Sequence, residues 1–94
     1  MDLASRPLRA ETVRVEGRES DPVLVGGPEV LRLNDTALAI WDLCDGETTL
    51  EEMATAVVDL AGVSEDQARS DVVGVVSELA ARGVITERSD EGQV

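Results

Sequence analysis

Apolar positions change period part-way along the chain. From Glu11 to Val15 they alternate, which predicts a strand with Val13 and Val15 on one face. Residues 17–22, G-R-E-S-D-P, are turn chemistry, and Val23 to Val25 predict a short second strand. Gly26-Gly27-Pro28 predicts a tight turn. Glu29 to Leu33 predict a third strand, with Leu31 and Leu33 on one face and Val30 and Arg32 on the other. Short strands joined by short turns favour an antiparallel meander.

From Asn34 the period becomes helical. Asn34 is a strong N-cap type, and Asp35 suits the first turn of a helix through the dipole. Ala37, Ile40, Trp41 and Cys44 fall at i, i+3, i+4 and i+7, with Leu38 and Leu43 widening the stripe. Gly46 is the expected stop. Thr49 and Glu52 match a capping box and open a second helix running to Ala61, with Leu50, Met53, Val57 and Leu60 as its apolar face. Gly62 ends it. Ser64 and Gln67 repeat the capping pattern for a third helix running to about Arg82. Its stripe is Ala68, Val72, Val75 and Leu79, with Val73 and Val76 on the adjoining face. Gly83 then releases Val84 and Ile85 into a short extended segment.

The predicted order is β-β-β-α-α-α. The Gly62-Val63-Ser64 link resembles a helix-turn-helix connection, so the expected fold is α+β, a winged-helix-like module with a three-stranded antiparallel sheet followed by three helices (β3α3). Residues 1–8 lack any period and are expected to be flexible. The domain is expected over 9–86, with a flexible polar tail at 87–94.

Composition narrows the chemistry. The chain has no His, Tyr or Phe; Trp41 is its one aromatic residue and Cys44 its one cysteine. Without a histidine or a cysteine pair there is no metal-ligand spacing and no base to activate a nucleophile, so neither catalysis nor a cofactor is expected. Trp41 and Cys44 both fall on the apolar stripe of the first helix, where core packing is sufficient explanation. The carboxylate pairs Glu51/Glu52 and Glu65/Asp66 occupy first turns, where capping explains them. Nothing resembles a signal peptide, and no apolar run approaches the ~20 residues of a membrane span. A cytoplasmic protein is expected.

The formal net charge is −12, and every basic residue is arginine. That balance disfavours phosphate backbones and anionic membranes and favours peptide or protein partners. A helix-turn-helix invites DNA as the alternative ligand, but the third helix begins S-E-D-Q-A-R-S-D, with Arg69 alone carrying positive charge near its start. The remaining surface is the edge of the small sheet. An edge strand offers unpaired N–H and C=O groups that an extended peptide can complete, and it can also pair weakly with a second copy, so a monomer or weak homodimer is expected.

The run V-L-x-L-N-D-T-A-x-x-I-W-x-L-C-D-G-x-x-T-x-E-E-M, followed by D-V-x-x-V-V-x-E-L-x-x-x-G-V-I, resembles the PqqD family, also called the RiPP precursor peptide recognition element. The resemblance spans about Val30 to Ile85. It implies a non-catalytic β3α3 module that binds the leader segment of a ribosomally made precursor peptide. Such a module presents the leader to a modifying enzyme such as a radical SAM protein, a protease or a cyclase. It further implies that the leader docks as an added strand on the third strand, beside the third helix. Carried onto this chain, the strand positions are Val30, Leu31, Arg32 and Leu33. The helix positions are Arg69, Val73 and Val76, with Val72 at the base of the groove.

Overall fold

A computed structural model describes residues 2–18 and 20–88, with residues 87 and 88 as backbone only. The central sheet is antiparallel, in the order β2 (Arg14–Arg18), β3 (Asp21–Val25), β4 (Leu31–Arg32), and three helices follow: α1 (Asp35–Asp42), α2 (Leu50–Ala61) and α3 (Glu65–Ala81). A second, two-stranded antiparallel sheet pairs β1 (Arg6–Arg9) with β5 (Ile85–Arg88).

The helices start where their caps predict. Asn34 accepts from the Ala37 amide, and Ser64 accepts from the Gln67 amide. Thr49 and Glu52 form the complete reciprocal box, whereas the Gln67 side chain turns instead to Asp71 at 2.8 Å. Gly62 closes α2 in the left-handed conformation. Burying Ile40, Trp41, Leu50, Met53, Val57, Val72 and Leu79 together fixes the three-helix layer against Leu24 and Leu33 of the sheet side.

Several expectations are corrected. Residues 6–9 are a strand rather than a flexible end, and the N-terminal segment bonds to three other elements. The Ser5 and Leu3 carbonyls accept from the Leu50 and Glu51 amides, two of the orphan donors at the start of α2. The Arg9 guanidinium bonds to the carbonyls of Trp41 (3.2 Å) and Asp42 (2.8 Å) at the end of α1, and lies 5.9 Å from the Trp41 ring centroid. With these carbonyls satisfied from outside, α1 ends at Asp42, and Gly46 serves the later turn rather than the cap. At the other terminus, residues 87 and 88 belong to β5, while 89–94 lie outside the described residues.

The wing is longer than turn chemistry suggests, since β2 reaches Arg18 and β3 begins at Asp21. Val13 is buried while Val15 is exposed, because a turn at Ala10–Val13 intervenes before β2 and breaks the parity of the alternation. Gly26 makes the return possible: at φ 95°, a Cβ there would stand 1.9 Å from the Thr12 carbonyl oxygen. Leu60 is 54% exposed and stands outside the core.

Candidate peptide-binding groove

Strand β4 is the edge of its sheet, and its pairing decides which backbone groups are available. The Leu33 amide donates to the Pro22 carbonyl at 3.1 Å, which makes Leu33 and Pro22 a hydrogen-bonded pair of the antiparallel ladder. Its neighbours Arg32 and Val23 are then the non-bonded pair. The N–H and C=O of Arg32 therefore point away from β3, toward the free edge. The side chains divide as the sequence predicts: Leu33 is buried and Leu31 half-buried, while Val30 is 67% exposed and the Arg32 side chain 81%.

That edge opens on a groove of about 450 Å³ between β4 and α3. Leu31, Leu33, Val75 and Leu79 supply apolar lining, and Ala37 of α1 meets it from the side. One end carries Glu29, Glu78 and Arg82. The Arg82 guanidinium is 2.6 Å from both carboxylates, tying the last turn of α3 to the residues leading into β4. The groove continues past Gly74 into a polar recess of about 370 Å³ lined by Asn34, Thr36, Ser70 and Asp71. Arg32, Arg82, Glu29 and Glu78 all line the groove, so its lining is formally charge-balanced although the chain is strongly acidic, and the Arg32 guanidinium itself lies 3.8 Å from Asp21.

All four expected strand residues line this groove, but the four helix residues do not. Val72 and Val76 are fully buried in the core. Val73 is 37% exposed on the other flank of the helix. Arg69 is held by Glu51 of α2 through its Nε (3.1 Å) and Nη2 (3.0 Å), with Glu65 and Asp66 also in reach. This ion pair pushes the Glu51 carboxyl below its usual range. The helix wall is instead Asp71, Gly74, Val75, Glu78 and Arg82, spaced i, i+3, i+4, i+7 and i+11. The reason is a rotation: Val75 and Val76 both satisfy the apolar period, and packing buries Val76 completely and Val75 only in part. Turning the buried stripe toward Val76 moves the sheet-facing flank to the opposite side of the helix from Val73.

Cys44 is fully buried, donates its thiol to the Ile40 carbonyl at 3.2 Å, and has its pKa pushed up to about 12 by burial. No cluster of residues suited to a metal ion occurs among the described residues. The residues 34–82 carry eleven carboxylates but only Arg69 and Arg82 as cations, and both are engaged by acids. The start of α3 therefore presents negative charge where a DNA-reading helix needs positive charge. No helix among the described residues is long and apolar enough to cross a membrane.

The family model for coenzyme PQQ synthesis protein D (PqqD) matches residues 16–85. The chain belongs to the PqqD family. Among solved structures, the fold is similar to a lasso peptide synthetase B1 complexed with the leader peptide. The TM-score is 0.74 at 22% identity, covering 86% of this chain and 98% of that one. It is also similar to the PqqD truncation of Methylobacterium extorquens PqqCD, described as a functional, stand-alone RiPP recognition element. There the TM-score is 0.70 at 23% identity, covering 85% of this chain and 87% of that one. No curated protein sequence matches the chain. At these identities the structural likeness establishes the α+β fold with its three-stranded sheet and three helices. Strand β1 lies outside the PqqD-matched region, and β5 contributes only its first residue to it.

Proposed function

We propose that this PqqD-family protein binds the leader segment of a ribosomally synthesised precursor peptide and presents it to a modifying enzyme. The leader adds as a strand to β4 and lays alternate side chains against α3. The observation that carries this reading is the coincidence of an outward-facing Arg32 backbone with an apolar groove at the only side of β4 not occupied by β3 among the described residues. Family membership supports it, as does the likeness to a fold solved with a leader peptide and to one described as a recognition element.

Val30, Leu31, Arg32 and Leu33 form the docking strand, and Val75, Glu78 and Arg82 the facing wall. Val72 and Val76 act from behind by holding α3 in place. The protein itself performs no reaction and needs no cofactor in this account. A radical SAM enzyme, a protease or a cyclase supplies the chemistry, in the cytoplasm where the precursor is made.

Replacing Arg32 by proline tests the strand-addition geometry. The Arg32 amide makes no ladder bond to β3, so its removal spares the sheet while deleting a donor that the leader needs. With a labelled peptide selected on the wild-type chain from a displayed random library, Arg32→Pro is expected to weaken binding about tenfold or more. The urea midpoint should be nearly unchanged. Wild-type affinity in the proline variant would rule out pairing at this edge.

A further inference from the structure

Gly74 sits in the middle of a 17-residue helix, the place where glycine is the costliest residue after proline. Nothing in the folded chain requires it. Its φ is not among the positive values, and a Cβ built there meets no atom within 4 Å. Gly26 offers the contrast, since a Cβ there would collide with the Thr12 backbone. Gly74 and Val75 both line the apolar groove and its polar continuation, and at Gly74 no side chain stands between the two stretches.

We infer that Gly74 is the specificity-determining seat of the groove: a bulky apolar side chain of the bound leader, aromatic or branched, packs over it. This rests on the leader-binding reading above and adds the class of residue the leader must carry. In a strand added to β4, every second side chain turns toward the helix layer, as those of Leu31 and Leu33 do. One of them passes between Val75 and Ala37, with the empty Cβ position of Gly74 beside it. The helix gives up intrinsic propensity at this position, and the ligand fills the space left open.

The test sets stability against binding. A random 15-residue peptide library displayed on its encoding RNA is selected on the full wild-type chain. The enriched peptides are then labelled and titrated by fluorescence anisotropy against wild type, Gly74→Ala and Gly74→Gln. The enriched peptides should share a bulky apolar residue at one position. Gly74→Ala should raise Tm by about 4–8 °C, as expected for alanine replacing glycine in an exposed helix interior of a small domain. The same variant should weaken those peptides about tenfold, and Gly74→Gln should weaken them further. Truncating the shared bulky residue to alanine should abolish the difference between wild type and Gly74→Ala. Unchanged affinity in Gly74→Ala overturns the seat while leaving strand addition standing. A fall in Tm overturns the premise that the fold does not need this glycine. Failure to enrich any peptide overturns the leader-binding reading itself.

Discussion

At the scale of single residues, this chain offers an unusually clean titration. It has no His, Tyr or Lys, so apart from the chain terminus Cys44 is the one group that titrates between neutral pH and about pH 12. Burial raises its pKa from 9.0 to about 12. The sign follows directly: the unfolded thiol ionises first, so the native state is favoured fully below pH 9 and loses that advantage as pH rises from 9 toward 12. Urea unfolding measured across this range should show stability falling with pH, and Cys44→Ala should remove most of the slope. A flat profile for the wild type would mean that Cys44 is solvated. On the acid side the direction reverses. Backbone amides of Glu47 and Thr48 hold the Asp45 carboxyl below its usual range, and Arg69 does the same for Glu51. Their contributions are present above the ordinary carboxylate range and fade as pH falls through it.

At the scale of elements, the N-terminal segment is the unexpected part of the fold. It supplies carbonyls to the start of α2, a guanidinium to the end of α1, and a strand to β5. Helix α1 has no basic residue in its own last turn, and Arg9 fills that role from a distant strand. Arg9→Ala is expected to cost about 1 kcal/mol through lost carbonyl partners and dipole compensation, read as a lower urea midpoint. An unchanged midpoint would mean that these bonds exchange with water at no cost. None of this was legible in sequence, because the partner of β1 lies more than seventy residues away and four residues of R-P-L-R carry no period. The helices were legible for the opposite reason. Their caps at Asn34, Thr49 and Ser64 are local signals, and each side-chain oxygen accepts the predicted amide. The candidate groove lies between: its strand was readable from alternation but holds only Leu31 and Arg32 of the expected Glu29–Leu33, and the helix face turned on which of two adjacent valines is buried. Periodicity admits both Val75 and Val76, and only packing against the rest of the core chooses.

At the scale of the molecule, charge and shape divide the labour. The helical portion carries most of the negative charge, which favours solubility and repels nucleic acid, while the β4–α3 groove is electrically balanced. At the Arg82 end Glu29 and Glu78 already share one guanidinium, so in the proposed account selectivity would fall to apolar contacts. On the proposed reading a second copy pairing at the free edge of β4 would compete with the leader for the same backbone groups. The central claim is that the leader completes this edge. Amide hydrogen exchange at Arg32, followed by NMR with and without a peptide selected on the wild-type chain, tests it most directly. Strand addition predicts that the Arg32 amide, which makes no ladder bond in the free protein, becomes strongly protected in the complex. Leader binding that leaves Arg32 exchange unchanged would contradict the account.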